Sequence, residues 1–187
     1  VIHNGIIENF AELRAELTAS GVTLRSETDT EVAAHLISQE LSATNADLAD
    51  AVRAVCRRLR GAFTLVVAHA DRQDLVIGAR RNSPLVVGRG EGENFLASDV
   101  SAFIAHTRNA IELGQDQVVE LRADSITVTD FDGKSAPFTE YEVTWDAAAA
   151  EKGGFDTFML KEISEQPKAV ADTLLSRIDN GKIVLRS

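Results

Sequence analysis

Phe63-Thr64-Leu65-Val66-Val67-Ala68-His69-Ala70 is the stretch on which the fold turns. It is a continuous apolar run, the pattern of a strand buried on both faces. Upstream of it the apolar residues recur at helical spacing. Downstream they come in short blocks separated by turn residues.

Working upstream, Val55 and Leu59 belong to a stripe with Leu48 and Val52, a helix starting near Thr44 or Asn45 and ending at Gly61. Before it, Thr28-x-x-Glu31 has the spacing of a capping box and opens a helix whose buried side carries Val32, Ala33, Leu36 and Ile37. Earlier still, Asn9 and Glu12 have the same spacing, Phe10, Leu13 and Leu17 share one face, and Gly21 supplies a stop. Working downstream, Asp71-Arg72-Gln73 turns the chain back into Leu75 to Arg80, and Asn82-Ser83-Pro84 breaks it before Leu85 to Gly88. Gly90-Glu91-Gly92-Glu93 leads to Phe95 to Ala97, and Ser98 to His106 reads as a short helix. Gln117 to Leu121 and Ile126 to Phe131 form a further strand pair, with Asp132-Gly133 as a turn. Helices followed by antiparallel hairpins indicate an α+β fold rather than alternating βαβ units. At Ala147 to Gly154, four alanines and Glu-Lys-Gly-Gly mark a linker, and Phe158 to Ile178 is helix-like but interrupted by Pro167.

Bulk composition narrows the function. The chain has 187 residues, 44% hydrophobic and 26% charged, room for one fair-sized domain with or without a piece of another. A formal net charge of -10 argues against nucleic acid or an anionic membrane as the partner, since both need clustered Lys and Arg. A single cysteine, Cys56, excludes an internal disulfide and points to a reducing, cytoplasmic setting. No apolar run approaches the roughly 20 residues of a membrane span, and no signal peptide is expected.

The first nine residues, Val1-Ile2-His3-Asn4-Gly5-Ile6-Ile7-Glu8-Asn9, read as a buried strand ending in an Asn-Gly turn. Asn4-Gly5 has two readings. It is either a type I′ hairpin turn, or an elbow that aims a side-chain amide and a backbone N–H at one oxygen, as an oxyanion hole does. The absence of a return strand favours the elbow. Asp29 also has two readings: a carboxylate stabilised by the start of a helix, or one held out for a ligand's ammonium group. Cys56 sits mid-helix without a nearby His and reads as a small buried hydrophobe, not a nucleophile. His3, His35, His69 and His106 lack metal-ligand spacing, and Gly88-x-Gly90-x-Gly92 precedes a strand, so the dinucleotide fingerprint fails. No cofactor and no metal are expected.

Together, His3 to Asn9 and Ser26-Glu27-Thr28-Asp29-Thr30-Glu31 resemble the glutaminase domain of class II (N-terminal nucleophile, or Ntn) glutamine amidotransferases. Ser83 to Gly88, Gly92 to Asp99, and Lys161-Glu162-Ile163-Ser164-Glu165-Gln166-Pro167 resemble the branch of that family that aminates fructose 6-phosphate. The resemblance implies an αββα four-layer sandwich with two mainly antiparallel sheets. It implies that glutamine is hydrolysed to glutamate and ammonia, and that the ammonia converts fructose 6-phosphate to glucosamine 6-phosphate in a second domain. It assigns the Asn4 side chain and the Gly5 N–H to an oxyanion hole, and Asp29 to the α-ammonium of glutamine. Residues 1–146 would be the glutaminase domain, 147–156 a linker, and 157–187 the start of a sugar-isomerase domain, in a protein that is a homodimer at full length. The family's nucleophile is an N-terminal cysteine with its own α-amino group as base. The chain opens in mid-strand without that cysteine and without the first strands, so these residues alone are expected to be inactive. Two alternatives are another class II enzyme, such as phosphoribosyl-pyrophosphate amidotransferase, and a non-catalytic glutamine- or partner-binding module.

Overall fold

The run from Phe63 becomes the core of a five-stranded antiparallel sheet. In the computed structural model, residues 1–44, 46–144, 154–174, 178–179 and 182–183 are described. They belong to two units, Val1–Thr144 and Trp145–Ser187. In the first unit the strands are β1 (Ile2–Ile7), β2 (Gly61–His69), β3 (Arg72–Arg81), β4 (Val86–Arg89), β5 (Asn94–Ala97), β6 (Asn109–Leu113), β7 (Gln117–Leu121), β8 (Ile126–Asp130) and β9 (Phe138–Glu142). The helices are α1 (Phe10–Ala19), α2 (Asp29–Thr44) and α3 (Leu48–Arg58).

One sheet has the order β1-β2-β3-β7-β8 and the other β5-β4-β6-β9, with every pairing antiparallel. Strand alternation sends Phe63, Leu65 and Val67 to the helical side, where they join Leu17, Leu36, Val52 and Val55 in the larger core. The opposite face contributes Val119, Leu121 and Val128 to a second core, shared with Leu85, Val87, Ile111 and Leu113 of the other sheet. Each such side chain contributes roughly 1.5–3 kcal/mol by leaving water, so the two cores fix the order helices, sheet, sheet. On the outer face of the second sheet, Val100–Ala102 is a single 3-10 turn, and Phe103 stacks on Phe95 with ring centroids 6.1 Å apart. The first unit is therefore an α+β sandwich of two antiparallel sheets. Among the described residues its fourth layer is this short turn, where a helix over Ser98 to His106 was expected.

Several expectations need correcting. The first strand is not buried: Ile2 and Ile6 are 70% and 67% exposed, because β1 is the last strand of its sheet among the described residues. Nor does it end at Asn4-Gly5, since pairing continues from Ile2↔Val66 to Ile7↔Gly61, and the turn into α1 falls at Glu8 and Asn9. Asn9 does not cap α1 with its side chain. Its amide instead donates to the Arg58 carbonyl at 3.0 Å and accepts from Arg60 N–H at 2.9 Å, clamping the strand to the α3–β2 loop. The third helix is capped later than expected, by Asp47, whose carboxylate accepts from Asp50 N–H at 2.8 Å, and Thr44 closes α2. Asn45 lies outside the described residues.

The second unit, taken by itself, contains α4 (Phe158–Leu174), which runs through Pro167 without a break, and a two-residue strand pair, β10 (Ile178–Asp179) with β11 (Lys182–Ile183). Ile178 is thus in a strand and not in the helix. Most of the expected linker at 147–156 lies outside the described residues.

Candidate active site

The open edge of β1 and the first turn of α2 meet. Glu8 N–H donates inward to the Arg60 carbonyl at 2.9 Å, whereas Ile7 N–H donates outward to Asp29 Oδ2 at 3.0 Å. Backbone N–H groups alternate sides along a strand, so the Gly5 N–H, two residues before Ile7, is directed to the same open edge. At the other end of this edge, His3 Nδ1 is 3.2 Å from Asp29 Oδ1. Asp29 therefore contacts β1 at His3 and at Ile7, the positions flanking Gly5.

Gly5 is required by its backbone. Its φ is +128°, and a Cβ there would stand 2.1 Å from the Ala62 carbonyl oxygen and 2.9 Å from Phe63 Cα. The Asn4 side chain points to the other face of the sheet, is exposed, and forms no hydrogen bond with the described residues. Opposite it, Thr64 donates its hydroxyl to the Pro84 carbonyl at 3.0 Å, which draws the Ser83-Pro84 loop against the strand. Three stretches singled out in the sequence, at 3–9, 26–31 and 83–88, thus converge here.

The start of α2 is held by Glu31. Its carboxylate accepts from Arg25 N–H and Ser26 N–H, both at 2.7 Å, and from the Ser26 hydroxyl at 2.6 Å. These bonds, the hydroxyl first and the Arg25 amide next, hold its pKa down at about 2. Glu31 N–H reaches Thr28 Oγ1 at 3.4 Å, so half of the expected capping box is present and the carboxylate reaches back farther than such a box requires. Arg14 adds a bond to the Ser26 carbonyl at 2.7 Å. The segment that presents Asp29 is tied down on both sides.

Other candidates do not enter this site. Cys56 is fully buried, and burial pushes its thiol up to about 12. Asp99 caps the 3-10 turn by accepting from Ser101 N–H at 2.8 Å. Asn94 donates to the Arg122 carbonyl at 2.7 Å. The Gly92 to Asp99 motif therefore does hairpin and capping work. A cleft of about 630 Å³ begins at the Ser83-Pro84 loop and includes Arg80, Asp99, Glu112 and Tyr141, but not Asn4, Gly5 or Asp29. Among the described residues no group of three or more His, Cys, Asp or Glu side chains is placed to hold a metal ion. No helix among them is long and apolar enough to cross a membrane. The contact of His3 with Asp29 was not foreseen. The only sequence signal was that His3, Gly5 and Ile7 share one face of a strand.

The first unit is a sandwich of two antiparallel sheets in which an Asn-Gly pair lies at an open strand edge beside a rigid carboxylate. The family described as a glutamine amidotransferase domain matches residues 1–105, and the chain belongs to it. Its relatives carry a more particular name. The glutamine–fructose-6-phosphate aminotransferase (isomerizing) of Streptomyces coelicolor is 72% identical over 179 residues, spanning 96% of this chain and 29% of that protein. The enzyme of the same name from Corynebacterium glutamicum is 58% identical over 187 residues, spanning 99% of this chain and 30% of that protein. The chain thus spans about 30% of the length of these relatives. In fold it is similar to the glutamine phosphoribosylpyrophosphate amidotransferase of B. subtilis. That match has a TM-score of 0.59 at 23% identity and covers 70% of this chain and 28% of that one.

Proposed function

We propose that residues 1–146 are the glutaminase domain of a glutamine–fructose-6-phosphate aminotransferase. In the full-length protein this domain hydrolyses glutamine and releases ammonia for the amination of fructose 6-phosphate. The residues from 157 onward begin the sugar-isomerase part, 147–156 link the two, and the full-length protein is a cytoplasmic homodimer. The names of the relatives support the sugar substrate, and the chemistry on the glutamine side is supported by the geometry of β1.

The observation that carries this reading is that Asp29 spans the strand edge on which the Gly5 N–H lies. Two strand residues cover about 7 Å. The α-nitrogen and δ-carbon of an extended glutamine, four bonds of about 1.5 Å apart, are separated by about 5 Å. One molecule can therefore place its ammonium at Asp29 and its carboxamide at Gly5 and Asn4. During acyl transfer the carboxamide oxygen becomes an oxyanion, which the Gly5 N–H and the Asn4 side-chain amide stabilise as two preorganised donors. The family's nucleophile is an N-terminal cysteine. Cys56, the chain's single cysteine, is buried and cannot fill that role, so residues 1–187 alone do not cleave the substrate. Glutamate release by the isolated chain would contradict this.

The test is Asn4→Ala in the full-length protein. Loss of one oxyanion donor lowers kcat for glutamine hydrolysis about 10²–10³-fold and leaves KM close to that of the parent. An unchanged kcat removes Asn4 from the mechanism.

A further inference from the structure

His3 has no assigned role, yet its side chain is only 3% exposed and lies against the carboxylate at the centre of the site. Its Nδ1 is 3.2 Å from Asp29 Oδ1 and 3.2 Å from Thr30 Oγ1, and its Nε2 is buried with no hydrogen-bond partner among the described residues. An ionised carboxylate only accepts hydrogen bonds, so a hydrogen on Nδ1, shared between Thr30 Oγ1 and Asp29 Oδ1, is the tautomer that makes this approach favourable. Ile7 N–H holds the other carboxylate oxygen at 3.0 Å. The imidazole beside one oxygen and the Ile7 N–H on the other, both carried by β1, restrain the plane of the carboxylate. Each oxygen keeps a further lone pair for a ligand.

We propose that His3 is a positioning residue for Asp29: through Nδ1–H it fixes the carboxylate in the orientation that receives the α-ammonium of glutamine. Neither partner acts alone. Without His3, Asp29 hangs from the single Ile7 bond and rotates about its terminal torsion, which for a carboxylate is broad and weakly restrained. The proposal rests on the reading of Asp29 as the ammonium site, and the experiment separates the two.

The choice of variants follows from geometry. Asn places an amide nitrogen the same number of bonds from the backbone as Nδ1, so His3→Asn keeps the donor but removes volume. His3→Leu keeps the volume but removes the donor. In the full-length protein, His3→Leu is expected to raise KM for glutamine about tenfold, the loss of one hydrogen bond to a charged group, with kcat for glutamine hydrolysis within twofold. His3→Asn should stay near the parent, and His3→Leu should add nothing on top of Asp29→Asn, which itself raises KM. If His3→Leu melts below the assay temperature, His3→Gln replaces it with the same expected rise in KM, because its amide sits one bond farther out. A packing role predicts the reverse order, with Leu tolerated and Asn impaired, and that order overturns the proposal. So does an unchanged KM in His3→Leu while Asp29→Asn is impaired, an outcome that leaves the Asp29 reading standing. An unchanged KM in Asp29→Asn overturns the reading and the proposal with it.

Discussion

Replacing Gly5 by Ala tests the strand geometry on which the site depends. The added Cβ would lie 2.1 Å from the Ala62 carbonyl oxygen, 2.9 Å from Phe63 Cα and 3.0 Å from the Ala62 carbonyl carbon. All three are backbone atoms of the paired strand, so no side chain can swing aside. The backbone at φ +128° adds strain of roughly 1–3 kcal/mol for any residue with a Cβ. Relief requires β1 to move off β2 by about the missing ångström, which weakens one or two ladder bonds at about 0.5–1.5 kcal/mol each. A local loss of about 3 kcal/mol is therefore expected, equivalent to about a 150-fold change in an opening equilibrium.

Native-state hydrogen exchange by mass spectrometry reads this locally in the full-length protein, since protection of a paired strand reports its opening free energy. Peptides covering β1 and β2 should lose about two decades of protection, while those covering α3 change little. Gly21→Ala is the control. Gly21 also has a positive φ, of +90°, but no atom lies within 4 Å of its Cβ position. It should show only the conformational penalty of roughly 1–2 kcal/mol, confined to the end of α1. If Gly5→Ala leaves β1 and β2 within threefold of the parent, the close approach to Ala62 does not govern this strand and the reasoning fails.

The remaining predictions concern the surroundings of the site. Asn9→Ser retains a good capping residue but cannot span from the Arg58 carbonyl to Arg60 N–H, so it should destabilise as much as Asn9→Ala, by about 1–3 kcal/mol in urea unfolding. Full retention of stability in the Ser variant would reinstate the cap. The pKa of Glu31 falls from an ordinary 4.5 to about 2 on folding, so its contribution is complete above 4.5 and disappears as pH drops through about 2. The stability difference between the parent and Glu31→Gln should accordingly shrink as pH is lowered across that window, and a constant difference would refute the assignment. Cys56, buried with its thiol pushed up to about 12, should resist iodoacetamide in the native protein and react only after unfolding. Rapid alkylation of the Cys56 peptide under native conditions would contradict its placement.

Elements with a strong apolar period were readable from sequence alone. Leu48, Val52 and Val55 outlined α3, and the run from Phe63 marked β2 as an interior strand, paired on both sides. The two strands of the first unit that escaped notice lacked such a period. All five residues of β9 are exposed, and β6, Asn109–Leu113, follows loop residues without a Gly or Pro to mark its start. Asn9 misled because capping is a local signal, whereas its true partners at Arg58 and Arg60 are brought near only by the fold. The site shows the same division. Asn4, Gly5 and Asp29 could be named from their motifs, but each kept a plain structural alternative. The contact that favours one reading, Asp29 bridging His3 and Ile7, joins segments more than 20 residues apart. No spacing rule reports such a contact.

The outer edge of β1 has one further consequence. A strand that exchanges bonds on both sides has no N–H left to offer a reaction, so chemistry of this kind belongs at the border of a sheet. Among the described residues no neighbouring strand takes the Gly5 amide, which is what the proposed role requires. That same border, flanked by exposed Ile2 and Ile6, is also the natural place for a foreign strand to add. On the proposed reading, pairing a further strand along this edge would also withdraw the Gly5 amide from the substrate.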